Sequence, residues 1–179
     1  MRFKPCLRAC TASGLTYGSR LRRYTPDEIC KQLLDSNATQ LYIAAPMLEK
    51  AYAAVSKGAP LTRMYTLGEV PSDAPAPPAD APPCESFDAL LATEGAPPAV
   101  SIDPEKELAL IPYSSGTSGL PKGVELTHAN VVANVLQCEV AHVHLTPEDT
   151  LVGVLPFYHI YGFTVILVGA CTHSPCLHA

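Results

Sequence analysis

Charge is scarce in this sequence. Only 16% of its 179 residues are Asp, Glu, Lys or Arg, and the net charge is −5. A chain so sparing with charge buries much of its surface or leans on further protein. The negative balance leaves no basic footprint for nucleic acid, so none is expected as a partner. Long hydrophobic runs are missing too. The longest near the end, Phe163 to Cys171, falls short of the about 20 apolar residues that cross a bilayer, so no transmembrane segment is expected. No apolar stretch has the form of a signal-peptide core. Seven cysteines (Cys6, Cys10, Cys30, Cys84, Cys138, Cys171 and Cys176) are odd in number and irregular in spacing. Reduced intracellular thiols are the expectation, in the cytoplasm by default. No acid precedes Asp27, whereas Arg2, Lys4, Arg8, Arg20, Arg22 and Arg23 do. With Ser and Thr, that is the composition of an organelle transit peptide, although no amphipathic period accompanies it. The alternative is a disordered or misassigned start. The tail offers Cys171, His173, Cys176 and His178, but no folded knuckle to space paired ligands, so no metal site is expected there.

Regular pattern begins at Tyr24. Thr25 suits an N-cap, Pro26 the first helical position, and Thr25-x-x-Glu28 reads as a capping box. Ile29, Leu33 and Leu34 give the helix its apolar stripe, and it should end near Asn37. Gln40 to Ala44 is β-prone. Pro46 to Ser56 reads as a helix closed by Gly58, and Arg63 to Leu67 as a further strand. Helices alternating with short apolar strands predict an α/β fold: a partial doubly wound parallel sheet with flanking helices. Pro71 to Pro83, almost wholly Pro, Ala and Asp, is too poor in backbone donors to join a sheet and reads as an exposed extended loop. A short helix, Ser86 to Ala92, and a Pro-rich turn ending at Pro104 follow.

The informative part starts at Leu108. Leu108 to Tyr113 reads as a strand, with an end or edge expected at Pro112. A loop from Ser114 to Gly123 leads to a helix from about His128 to Ala141, capped by Thr127. Val131, Val135 and Cys138 share one face of it, and Val132, Leu136 and Val140 widen that face. Thr146 to Asp149 is a turn or cap. Leu151 to Leu155 reads as a buried strand ended by Pro156, and an aromatic loop, Phe157 to Tyr161, leads into the apolar segment Gly162 to Ala170.

The loop carries the chemistry. Gly116, Gly119 and Gly123 allow sharp turns and close approach to an anion. Ser114, Ser115, Thr117 and Ser118 add hydroxyl donors, successive backbone N–H groups form a concave anion site, and Lys122 brings a flexible positive charge. The string reads as a phosphate cradle. It is not a Walker loop, because Gly116 and Gly119 are too close and Leu120-Pro121 separate Gly119 from Lys122. Nor is it a nucleophile elbow, because Ser118 has Gly116 before it but Leu120 after it.

The string YSSGTSGLPKGVELTHANVV resembles the signature loop of the adenylate-forming synthetases, especially the 4-coumarate:CoA ligase-like acyl-CoA synthetases. Leu155 to Phe163, LPFYHIYGF, is similar to a segment found downstream of that loop, and Tyr24 to Ile29 through Tyr42 to the helix and strand upstream. The resemblance covers about residues 24–170 and implies a fragment of the large N-terminal domain of an adenylate-forming enzyme. On it, 24–170 is a partial AMP-binding domain with its Pro-rich loop at 71–83, while 1–23 and 171–179 stay unassigned. The implied reaction has two steps. A carboxylic acid attacks the α-phosphate of ATP to give acyl-adenylate and pyrophosphate, and the thiol of coenzyme A then takes the acyl group. The resemblance implies that Ser114, Ser115, Gly116, Thr117, Ser118 and Lys122 hold the β/γ-phosphates, that Gly119 and Gly123 shape the loop, and that Mg2+ shares the charge. It places His159 near the carboxylate and Tyr161 against the acyl group. Tyr158 and Phe163 are expected as packing, and His128 as a capping or surface residue.

The Mg-binding Glu, the ribose-binding Asp with its hinge, and the C-terminal Lys of the family are not among these 179 residues, so no complete catalytic set is expected. A peroxisomal ending used by some relatives is missing, although an organelle stays open. The reading is therefore an incomplete, inactive part of an AMP-forming acyl-CoA ligase. The alternative is a non-catalytic nucleotide- or acyl-binding remnant.

Overall fold

The computed structural model describes residues 24–92, 100–114, 121–140, 146, 148–155, 159–168 and 176–178. The transit-peptide reading falls on residues 1–23, outside the described residues. What is described divides into two units, on either side of the Ala99–Val100 junction.

In the first unit, helix α1 (Pro26–Asp35) begins as its sequence dictates. Glu28 N–H donates to Thr25 Oγ1 at 3.3 Å, and Thr25 N–H donates to Glu28 Oε2 at 2.7 Å. It ends as chain geometry requires. Asn37 takes a left-handed φ of 51°, and Ala38 N–H reaches back to Leu33 O at 3.0 Å. Asparagine tolerates that conformation better than most residues, which is why the helix stops there. Strand β1 (Gln40–Ala44) follows, then a 3-10 turn (Ala45–Met47) and helix α2 (Leu48–Val55). Gly58, at φ 94°, closes α2, with Ala59 N–H on Ala54 O at 3.2 Å. Strand β2 (Arg63–Leu67) then pairs parallel with β1, Leu41 beside Met64 and Tyr42 beside Tyr65.

Alternation along these strands builds two layers. Leu41, Ile43 and Met64 join Ile29 and Leu33 of α1 and Leu48, Ala51 and Val55 of α2 in one buried cluster. Tyr42 and Tyr65 stack with ring centroids 5.0 Å apart, and Phe87 meets Tyr42 edge-on at 5.5 Å. Phe87 opens a short helix, α3 (Phe87–Leu91), so helical elements attach to opposite pleats of the sheet. This is the doubly covered parallel arrangement expected from the sequence.

One strand was not. Ser86 to Ala92 reads as a helix, yet Cys84–Ser86 is strand β3, parallel to β2, and Ser86 caps α3 through a bond from Asp88 N–H at 3.2 Å. The sheet order is β1-β2-β3. The β2–β3 crossover is the Pro-rich segment, with short turns at Ala74 and Ala81 and no helix. Ala74 and Ala81 pack on the core and Pro82 is buried, so the extended loop is exposed between anchored points.

In the second unit the expected strand from Leu108 to Tyr113 is split. Strand β4 (Leu108–Leu110) pairs antiparallel with β7 (Leu126–Thr127), and β5 (Tyr113–Ser114) pairs antiparallel with β6 (Lys122–Gly123). Pro112 lies in the break between β4 and β5, where its missing N–H costs no ladder bond. These antiparallel pairs are additions to the parallel pattern. Helix α4 (His128–Val140) starts at Thr127. Asn130 N–H donates to Thr127 Oγ1 at 3.3 Å, and Thr127 N–H donates to Asn130 Oδ1 at 3.0 Å.

Strand β8 (Thr150–Val152) is parallel to β9 (Cys176–His178), within the stretch the sequence left unassigned. The expectation of a buried strand over Leu151 to Leu155 is corrected. The strand ends at Val152, and Val152 and Val154 are 66% and 79% exposed. An apolar run signals burial only when something packs on it, and pairing with β9 satisfies backbone groups without covering side chains. The wide apolar face of α4 is also partly open: Val135 is buried, but Val132 and Leu136 are more than half exposed. The segment Gly162–Val168 is π-helical and packs on α4. Among the described residues no helix is long and apolar enough to cross a membrane.

Candidate functional site

The neck of the Gly/Ser/Thr loop is a two-residue antiparallel ribbon. Ser114 stands opposite Lys122 and Tyr113 opposite Gly123. Val124 N–H donates to Pro112 O at 2.9 Å and extends the closure past the ribbon. The ribbon therefore turns the chain back on itself and brings the first hydroxyl of the string next to its lysine. Both Ser114 and Lys122 are exposed. Among the described residues Lys122 has no acidic partner, so its ammonium is available to an anion. Ser115, Gly116, Thr117, Ser118 and Gly119, the other expected phosphate ligands, lie outside the described residues.

Gly123 is glycine for space rather than for backbone freedom. Its φ is not left-handed, but a Cβ there would sit 2.9 Å from Ile111 Cγ2 and 3.2 Å from Tyr113 Cζ. The sequence marks Gly123 only as one glycine of a phosphate loop. The residues that demand it, Ile111 and Tyr113, escape sequence reading because their contact crosses the ribbon.

The helix after the loop is anchored on both sides. His128 N–H bonds Glu107 O at 3.3 Å and Ala129 N–H bonds Pro104 O at 2.8 Å. Asn130 was not singled out from sequence, although Thr127-x-x-Asn130 has capping-box spacing with a neutral partner. His128 is half-buried rather than a surface residue, and its Nε2 is buried with no hydrogen-bond partner.

His159 and Tyr161 come together at the start of the π-helical segment. Tyr161 N–H donates to His159 Nδ1 at 3.3 Å, and Phe163 N–H donates to His159 O at 2.9 Å. With Nδ1 accepting, a neutral imidazole carries its proton on Nε2, which leaves that N–H to donate outward. Both side chains are exposed, Tyr161 at 51%. The segment they begin is held by Thr164, whose hydroxyl donates to Ile160 O at 2.8 Å. The structure thus brings together Ser114 with Lys122, and His159 with Tyr161.

The ribbon presents a hydroxyl and an ammonium, a donor set suited to phosphate. It presents no carboxylate, and among the described residues no cluster of three His, Cys, Asp or Glu side chains is placed to hold a metal. The described residues suit an anion and do not by themselves make a Mg2+ site.

A family profile described as AMP-binding enzyme matches residues 6–178. The chain is 38% identical over 150 residues to 4-coumarate–CoA ligase 5 of Oryza sativa subsp. japonica, covering 81% of this chain and 25% of that protein. Over 68 residues it is 43% identical to a long-chain-fatty-acid–CoA ligase of Bacillus subtilis, covering 37% of this chain and 12% of the relative. Among solved structures, a long-chain-fatty-acid–CoA ligase from Archaeoglobus fulgidus matches with a TM-score of 0.69 and 31% identity, over 86% of this chain and 28% of that one. ATP-bound MatB from Rhodopseudomonas palustris matches with a TM-score of 0.65 and 26% identity, over the same shares.

Proposed function

Because the chain belongs to the AMP-binding enzymes, we propose that it carries the polyphosphate grip and part of the acyl pocket of an ATP-dependent, AMP-forming acyl-CoA ligase. It spans about a quarter of the length of curated relatives that it matches. The observation that carries the reading is the ribbon that sets Ser114 opposite Lys122 at the neck of a Gly/Ser/Thr loop.

The chemistry follows from charge. A carboxylate oxygen attacks the α-phosphorus of ATP, and the bond to the bridging oxygen of pyrophosphate breaks. The thiol of coenzyme A then attacks the acyl carbon, with AMP leaving. Negative charge grows on the departing pyrophosphate, so donors fixed around the β- and γ-phosphates favour the transition state over the ground state. A lysine about 4 Å from one phosphate charge contributes about 1 kcal/mol in water and about 4 kcal/mol in a partly desolvated site. Exposed Lys122 alone is too weak to hold ATP. The amides and hydroxyls of Ser115 to Gly119 must supply the rest of the grip. His159, with its Nε2 proton outward, suits hydrogen bonding to the carboxylate substrate, and Tyr161 offers an aromatic wall to its acyl part. The substrate is a small-molecule carboxylic acid. Mg2+ bound with ATP would neutralise phosphate charge, and among the described residues no side-chain cluster is placed to hold it.

For the 179-residue chain alone we expect binding without turnover, and its span of a quarter of the relatives favours that outcome. Titration calorimetry should detect ATP binding that Lys122→Ala weakens at least tenfold. Carboxylate-dependent ATP–pyrophosphate exchange should be absent from the purified chain, and exchange by it would overturn the inactive reading. Unchanged ATP affinity in Lys122→Ala would overturn the phosphate reading. Adenylate formation on adding the remaining three quarters of a relative would separate a ligase part from a non-catalytic remnant.

A further inference from the structure

We propose that Ile111 and Tyr113 are positioning residues for the phosphate loop: their side chains fill the space over Gly123 and lock the ribbon in the register that sets Ser114 opposite Lys122. The inference rests on the phosphate reading above and adds what holds the grip in shape.

A ribbon of two residue pairs is a weak structure. Isolated two-stranded pairs are marginal in water, and a slip of one residue turns every side chain to the opposite face. Such a slip would carry Lys122 away from the side on which Ser114 begins the loop. Backbone bonding selects the register only weakly, because N–H and C=O groups repeat along a strand except at proline. The side chains set it. Tyr113 stands directly opposite Gly123. A Cβ at that position would lie 3.2 Å from the ring's Cζ, 3.3 Å from its Oη and 2.9 Å from Ile111 Cγ2. A slip that brought Lys122 or Val124 under the Tyr113 ring would drive a Cβ into the same space. Of the three neighbours only glycine enters that space without a side chain giving way. Pro112, between the two packing residues, lacks an N–H and so cannot extend β4 into a longer ladder with a register of its own. Its carbonyl instead accepts from Val124 N–H at 2.9 Å, just beyond Gly123.

The full chain is tested by two measurements: hydrogen exchange at the Val124 amide, and calorimetric titration with inorganic pyrophosphate. Tyr113→Phe, which keeps the ring, should disturb both less than Tyr113→Ala does. Tyr113→Ala and Gly123→Ala should each speed Val124 exchange at least tenfold and weaken pyrophosphate at least tenfold. The Ile29 amide, bonded to Thr25 O at 3.0 Å in the other unit, should stay protected and so report that the chain remains folded. Lys122→Ala should weaken pyrophosphate without changing Val124 exchange, which divides charge from register. Tyr113→Ala with Val124 still protected overturns the lock. If Val124 is released but pyrophosphate binds as before, the lock does not serve the grip and the proposal fails. If the starting protein binds no pyrophosphate, the phosphate reading falls, and the exchange data still decide whether the ring sets the register.

Discussion

At three places a threonine and the residue three positions on share one arrangement. Thr25 donates its N–H and hydroxyl to Glu28 at 2.7 and 3.0 Å, Thr146 does the same to Asp149 at 2.7 and 3.0 Å, and Thr127 to Asn130 at 3.0 and 3.0 Å. The backbone N–H, then the hydroxyl, hold the Glu28 and Asp149 carboxyls below their ordinary values. The unfolded carboxylates take up protons more readily than the folded ones. Their contribution is therefore full above the ordinary carboxylate range, about pH 4, and is lost as pH falls through the lowered folded values. Asn130 does not titrate. On acidification the Thr25 and Thr146 amide resonances should shift while that of Thr127 holds its place. A common shift of all three would defeat this account. Thr127→Ala removes a neutral cap and should cost about 1 kcal/mol at the start of α4, read as faster exchange of the Asn130 amide.

Elements differ in how far their own residues specify them. The start of α1 is readable from four residues, because cap, proline and glutamate act within one turn. Strands β1 and β2 are readable because each carries alternating or β-prone residues. Strand β3 is not, since Cys84-Glu85-Ser86 has no period and becomes a strand only beside Met64, Tyr65 and Thr66. For β8 the apolar residues were plain, but whether anything covers them is a tertiary fact. The Gly/Ser/Thr loop lies between these cases. Its residue types announce an anion site, whereas the need for glycine at 123 depends on Ile111 and Tyr113 across the ribbon. Packing sets the energetic contrast. Met64 is fully buried in the middle strand, so Met64→Ala should cost about 2–5 kcal/mol. Val152→Ala, at an exposed site, should stay within about 0.5 kcal/mol. Denaturant midpoints of the two variants check the contrast, and equal midpoints would contradict the burial pattern.

For the whole molecule, the central quantity is the share of the fold that it spans. Structural neighbours overlap 86% of this chain but only 28% of their own length. Apolar side chains stand in water on α4 and around β8, including Val132, Leu136 and Val154. Contiguous exposed apolar surface usually marks a place that another surface covers. The chain should bind a hydrophobic dye such as ANS in its folded state. Val132→Lys combined with Leu136→Gln should reduce that fluorescence without lowering the melting temperature. An unchanged signal would place the dye elsewhere.

The β2–β3 crossover has a different lesson. Its reach is set by proline rings, each of which fixes φ, instead of by a helical ladder of amide bonds. Stiffness of that kind depends on how many rings there are and little on their neighbours. Shuffling residues 75–80 while keeping their prolines, with the anchors Ala74 and Ala81 left in place, should still seat Cys84 beside Met64. Exchanging the rings for glycine should loosen β3 by about 0.4–1 kcal/mol per ring, chiefly by enlarging the freedom of the unfolded chain. Between its anchors the span behaves as a strut defined by composition, and its word order there is free to drift.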